Sequence, residues 1–496
     1  MVLIVVVQIV LAHAGPILKG RVIETLRARF ESEVQLDTLQ VSITRGLEVT
    51  GSGLRVFPQD DQRTGNDNKP LIAIKYFEFR ASPVGLFFKP THVRQVNVRG
   101  LAINLPPPSQ RSREAGHNRH ADKIKINVDK IVCDDSELVI GTDKPDKDPR
   151  VFLLKHVVLR DLGPRTAWPF DAVLTNPIPK GEIHASGTFG PWDTGDPGDS
   201  RVNGKYLFEH ADMNTIKGIG GILRSSGFFD GQLDRIAVRG EADVSDFSLD
   251  TANHPMPLST RFQAIVDGTS GDTYLEQIDA KLGSSEFSCS GAVINVKGQG
   301  HKIDVDTDVP NGQIADFLAL AVKTDPPPMT GMINLQAKLQ ILPGKESVSQ
   351  KMTMQGTFTL RKIHFTNPAI EDRVDLMSLR AQGHTSNLKP GAPDVTSRMT
   401  GDFKMEKGEL ALSRLDYTLP GGDVNLTGHY TMDGQQYEFK GKVRTKAELS
   451  QMVASKWKSI LLKPLDPFFS KHGWGTEVPI KVSSDKGGKP KFRFSL

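Results

Sequence analysis

The sequence predicts a mainly β fold: a long curved, twisted antiparallel sheet forming an apolar groove, with an N-terminal helix and a few inserted or capping helices. Three observations predict it. Apolar and polar residues alternate with period two in segment after segment, as in Leu39, Val41 and Ile43 or Leu54 and Val56, the pattern of half-buried strands. The 46 Gly and 31 Pro of the 496 residues are spread along the chain, which suits strands and turns and opposes long helices. Consecutive strand segments are joined through single Gly or short Asp-Pro-Gly clusters, without helical crossovers, which predicts an antiparallel meander.

The chain opens on an apolar run of Val2, Leu3, Ile4, Val5, Val6, Val7, Ile9, Val10 and Leu11, broken by Gln8. We expect residues 1–18 to be a membrane anchor, although a spanning helix takes about twenty apolar residues and basic residues follow the run without preceding it. A signal peptide ending near Ala12-His13-Ala14 and a buried strand are the alternatives. In 19–105 a helix is expected first, with Leu18, Val22, Ile23, Leu26 and Phe30 at helical spacing behind Pro16. Strands follow, in which Val41, Ile43, Leu47 and Val49 alternate; the stretch from Val93 to Leu105 reads as two strands about Gly100. Residues 106–123 (PPPSQRSREAGHNRHADK) carry Pro, charge and small residues and are expected as an exposed loop or linker.

Strands resume through 124–330, a central sheet region, and a C-terminal region occupies 331–496. Helices enter as insertions. One is expected at NGQIADFLALAVK, placing Ile314, Phe317 and Leu318 on one stripe. A second is expected at TKAELSQMVASKWKSILLK, opened by a capping box of Thr445 and Glu448 and carrying Trp457, Ile460 and Leu461.

Composition narrows function. There are 62 basic against 58 acidic residues, too even a balance to suggest nucleic acid as a partner. Cys133 and Cys289 are too few for a disulfide framework and too far apart for a zinc or redox motif. Catalytic constellations are missing: no GxSxG, HExxH or Walker loop occurs, and GIGGI at Gly218 to Ile222 lacks the Lys-Ser/Thr of a phosphate-cradling loop and reads as a turn. His117 and His120 stand three apart in a Pro- and Arg-rich segment, a poor metal site. Asp304, Asp306 and Asp308 resemble the start of a calcium loop, but Val309 and Ala315 stand where Gly and Glu are required; in a strand the three carboxylates share one solvated face opposite Ile303, Val305 and Val309. No enzyme activity, cofactor or metal is expected.

The C-terminal third, from GTFTLRKIHFTNPAIEDRVDLMSLRAQG through SRMTGDFKMEKGELALSRLDYTLPGGDVNLTGHYTMDG to WKSILLKPLDPFFSKHGWGTEVPIKVSSDKGGKPKFRFSL, resembles the C-terminal region of the AsmA-like family. The N-terminal apolar run, short helix and LDTLQVSITRGLEVTGSGLRV are similar to that family's opening. The chain departs from the pattern in its short anchor and in VSSDKGGKP, where the family has a Gly-Thr turn. The resemblance implies a bacterial inner-membrane protein with its bulk in the periplasm, of the bridge-like lipid-carrier type. Its concave apolar face would hold phospholipid acyl chains and support the outer membrane, with membrane phospholipids and other envelope proteins as partners. Val41, Ile43, Leu47, Val49, Ile314, Phe317, Leu318, Trp457, Ile460, Leu461, Phe468 and Phe469 are the candidates to line or cap that groove. The alternatives are a periplasmic scaffold with a closed β-core and, last, a carbohydrate-active β-protein, which would need a cleft with two convergent carboxylates.

Overall fold

The computed structural model describes residues 33–42, 47–57, 69–81, 91–107, 126–162, 166–191, 197–384 apart from 251 and 253, 396–431, 436–452 and 473–484, with a few positions outside these segments. The expected anchor, 1–18, lies outside them, as do Ile43, His117 and His120. Gly20, Ile23, Glu24 and Arg27, in the segment read as a helix, are helical.

All described strands belong to one sheet. Its first part comprises β1 (Val34–Gln35), β2 (Thr38–Ser42), β3 (Leu47–Val56), β4 (Ile72–Ala81), β5 (Thr91–Leu105), β6 (Ile126–Ile140), β7 (Arg150–Leu162), β8 (Trp168–Pro177) and β9 (Lys180–Phe189). The central strands are β10 (Arg201–Asp212), β11 (Ile219–Gly220), β12 (Ile222–Gln232), β13 (Arg235–Leu249), β14 (Met256–Val266), β15 (Thr273–Leu282), β16 (Ser285–Val296) and β17 (Gly300–Gln313). The last are β18 (Met329–Ile341), β19 (Met352–Phe365), β20 (Arg398–Glu406), β21 (Glu409–Leu419), β22 (Gly422–Thr431), β23 (Tyr437–Thr445), β24 (Thr476–Ser484) and β25 (Lys491–Phe494). Three α-helices are described: α1 (Ile314–Ala321), α2 (Val348–Lys351) and α3 (Pro368–Ala381). The sheet is curled into a half-barrel.

Each strand pairs with its sequence neighbour and runs antiparallel to it, except that β10 bypasses the two-residue β11 to pair with β12, β1 pairs with β3, and β5 and β6 run parallel. The parallel pair accounts for segment 106–125. Thr91 lies beside Ile126 and Leu105 beside Ile140, so the chain must travel back along a 15-residue strand, about 50 Å at 3.3 Å per residue. A parallel pair cannot be joined by a tight turn. The sheet's hydrogen bonding therefore continues across this segment.

Between Val93 and Leu105 there is one strand, not two. Gly100 takes φ +61° inside β5, and the alternation changes parity there: Val96 and Val98 share a face with Leu101 and Ile103. The neighbouring strands switch at the facing positions, Gly53 (φ +65°) in β3, Lys75 in β4 and Asp135 (φ 48°) in β6. Aligned irregularities of this kind keep the register while bending the sheet.

Helices α1 and α3 pack against the core on the inner face. Ile314 of α1 joins Val309, Ile333, Leu360, Ile363, Tyr417, Leu419 and Val424 in a packed core, with Phe317 and Leu318 against it. Helix α3 starts with Asn367, whose side chain accepts from the Ala369 amide, and Pro368 in its first turn, and adds Val374 and Met377 to the same core. The capping box expected at Thr445 does not form. Thr445 is the buried last residue of β23, its hydroxyl donates to the Ala447 carbonyl at 2.9 Å, and Leu449–Met452 form a 3-10 turn; residues 453–462 of the expected helix lie outside the described residues. The strand ladder holds Thr445 opposite Thr476, and that pairing overrides the local cap.

Candidate functional site: the inner face of the sheet

Register and burial separate two faces, most plainly along β7, β10, β12 and β13. In β13, Ile236, Val238, Gly240 and Ala242 are half-buried while Arg235, Ala237, Arg239, Glu241 and Asp243 are exposed. The cross-strand partners carry the inner face onward without a charge. From β8 to β14 one row runs Phe170, Gly187, Gly204, Phe229, Val238, Ala264. It continues through Leu275, Gly291, Val305 and Leu339 and ends through Met354, Met405, Leu410, Tyr430 and Tyr437. At strand spacings of ~4.8 Å, this row is roughly 65–70 Å long.

Glycines shape the row. A Cβ on Gly240 would stand 2.6 Å from Tyr206 Oη and 2.9 Å from Phe262 Cζ, and one on Gly204 would stand 2.9 Å from Phe229 Cζ. Gly51 lies under Phe77, and Gly401 under Phe358, in the same way. The rings thus lie flat over neighbouring glycines instead of projecting into the concavity. Tyr206 is held down at its far end, its hydroxyl 3.0 Å from Ser225 Oγ, which itself donates to the Glu241 carbonyl at 2.9 Å. Burial pushes the Tyr206 phenol above its ordinary range, so it stays neutral.

The outer face is a ladder of exposed ion pairs: Arg80 with Glu48 at 3.2 Å, Arg160 with Asp171 at 2.6 Å, Arg414 with Asp402 at 2.8 Å and Glu438 between Lys440 and Lys481 at 2.8 and 2.9 Å. These two lysines hold the Glu438 carboxyl down at about 2. Asp304, Asp306 and Asp308 belong to this face. Gln340 donates to Asp304 at 2.8 Å, Lys338 lies 3.3 Å from Asp304, and Gln336 donates to Asp308 at 3.1 Å. Such pairs each contribute little to stability, but they distinguish the wetted face from the apolar one.

Among the described residues, the two rims of the half-barrel touch at two places. The β6–β7 turn reaches the β14–β15 and β16–β17 turns, where Lys147 Nζ bonds Asp272 Oδ1 at 2.7 Å and the Asn295 carbonyl at 2.6 Å, Lys144 pairs with Asp267, and the Gly298 amide donates to Asp148 at 2.7 Å. The β10–β12 connection likewise meets the β18–β19 turn, the Val348 amide donating to the Lys217 carbonyl at 3.0 Å. A Cβ at Gly218 would meet the Val348 nitrogen at 2.8 Å, so the glycine of GIGGI is required for this close approach. Following strand direction, the turns that meet lie on opposite rims. The sheet has therefore turned over between them, as about seven steps of roughly 20–25° each produce.

Of the residues singled out in the sequence, Val41 and Val49 face each other across β2 and β3 on the inner row, Val49 being buried and Val41 half-buried. Leu47 occupies the β3 position opposite Ala81. Ile314 of α1 is buried in the packed core, with Phe317 and Leu318 against it and Phe317 meeting Phe287 edge-on at 6.2 Å. Trp457, Ile460, Leu461, Phe468 and Phe469 lie outside the described residues. Cys133 is a buried inner-face residue, its thiol pushed up to about 11 by burial and then by the Asp134 charge, which makes it inert. The glycine-ring pairs and the rim contacts were not anticipated, because each joins residues on different strands. Among the described residues no group of His, Cys, Asp and Glu could hold a metal, and no helix is long and apolar enough to cross a membrane.

Comparison with protein-family models, with curated proteins and with solved structures returned no match. The inner face itself therefore carries the functional reading.

Proposed function

We propose that the chain is a non-catalytic lipid-handling protein whose inner face holds phospholipid acyl chains along the groove. The carrying observation is the unbroken apolar row from Phe170 to Tyr437, half-buried over much of its length and faced by no second sheet among the described residues. In a closed sandwich such rows would interdigitate with a partner sheet and become buried. Here hydrocarbon is the ligand that removes them from water, at roughly 25 cal/mol per Å² of apolar surface covered. The row asks for no particular chain length or unsaturation, so selectivity among acyl chains is low.

The resemblance of both ends of the sequence to AsmA-like proteins supports the same reading and extends it. The chain would be anchored in the bacterial inner membrane with its bulk in the periplasm, passing phospholipid toward the outer membrane alongside other envelope proteins. The test is native mass spectrometry of the chain purified under mild extraction. Bound phospholipid is expected; a chain free of lipid that also takes none from vesicles would end the proposal.

A further inference from the structure

The first rim contact leaves one charge unanswered. Arg150 opens β7 on the same inner face as Phe152 and Leu154, away from the uncharged row. Its guanidinium carbon lies 5.4 Å from the centre of the Phe152 ring, and a Cβ on Gly271, from the opposite rim, would stand 3.1 Å from Nη1. The Arg150 Nε is buried without a hydrogen-bond partner. Both clasp carboxylates are already engaged, Asp272 by Lys147 and Asp267 by Lys144. Asp148 and Asp143 accept backbone amides, from Gly298 and Ser109, and no ion pair among the described residues includes Arg150. His301, at the start of β17, is near enough for the Arg150 charge to help lower its titration, after desolvation. Two walls of the groove thus converge on a guanidinium that no carboxylate among the described residues pairs.

A desolvated cation without a counter-charge is costly, and the planar fork of an arginine matches the oxygens of a phosphate in paired hydrogen bonds. Phe152 and Leu154 continue the apolar inner face from Arg150 along β7. We propose that Arg150 is the anchor of a phosphate-binding site at the clasp, seating the phosphate group of a ligand whose apolar part lies along the inner face. This rests on the lipid reading for the identity of the apolar part, whereas the phosphate site stands on the clasp alone.

The test uses the full chain stripped of lipid, then exposed to vesicles of phosphatidylglycerol or to diacylglycerol with the same acyl chains, and separately to inorganic phosphate. Phospholipid is expected to be retained roughly ten- to hundred-fold better than diacylglycerol. Arg150→Met should bring phospholipid down to the diacylglycerol level without changing diacylglycerol retention, and Arg150→Lys should fall between; thermal unfolding confirms that each variant folds. Arg150-dependent binding of inorganic phosphate with no preference between the two lipids would assign the site to free phosphate. Binding of phosphate without retention of either lipid would keep the site and remove the acyl groove. A phospholipid preference that survives in Arg150→Met, or no preference and no phosphate binding in the unaltered chain, overturns the proposal.

Discussion

Tyr206 shows how single residues set the depth of the groove. Its ring crosses the space above Gly227 and Gly240, and a Cβ at Gly240 would meet Tyr206 Oη at 2.6 Å and the Ser226 carbonyl at 2.7 Å. The Ser226 contact is backbone and cannot swing aside. Gly240→Ala should therefore cost on the order of 1–3 kcal/mol through overpacking, read as a lowered urea midpoint with unchanged slope. An unchanged midpoint would mean that the ring does not lie on the glycine. The individual glycines of these strands are plain in the sequence, but their partners are not. Gly240 and Tyr206 are two strands apart in space, and nothing local in either segment records that the ring of one covers the backbone of the other.

At the scale of elements, strand identity was legible because burial on one face imposes period two. Even the crease through Gly53, Lys75, Gly100 and Asp135 is written in the chain as a change of parity, with Val49 before Gly53 and Leu54 after it. What the pattern could not distinguish at Gly100 was a turn from a bulge, since glycine serves both. The parallel β5–β6 pair was equally hidden, because a polar segment such as 106–123 reads alike whether it links domains or returns along a strand. Helix α3 did carry its signals, Asn367-Pro368 at the start and Gly383 after the end, inside a segment first notable for its resemblance to the AsmA-like family.

The rim clasp makes a prediction at this same scale. Desolvation, the largest single influence on Asp267, works to raise its carboxyl, but Lys144 and the Thr269 and Ser270 donors together hold it below the ordinary 3.8. A carboxyl depressed in the folded state contributes stability that is present above the unfolded value and lost as pH falls through the folded one. Protection of the Gly268 and Gly271 amides, which donate to Leu233 and Asp267 carbonyls, should hold from neutral pH down to about pH 4 and decline below it. In Asp267→Asn that acid-dependent step should vanish from hydrogen exchange at these sites. The same step persisting in the variant would place the acid-sensitive group elsewhere.

Across the whole molecule, one sheet supplies a wetted outer face of ion pairs and an apolar inner face, and its twist brings opposite rims together. The inner row of roughly 65–70 Å is about four times the ~15 Å half-thickness of a bilayer's hydrocarbon core, enough to seat several acyl chains end to end. The claim that the inner face is the lipid-bearing one can be tested at two consecutive residues. Phe228 and Phe229 of β12 point to opposite faces; Phe228 is 70% exposed on the outside between Lys205 and Arg239, and Phe229 lies on the inner row between Gly204 and Val238. A benzophenone amino acid placed at each position in turn, irradiated in cells, should cross-link to phospholipid from position 229 and not from 228. Equal labelling at both, or labelling from 228 alone, would contradict the account.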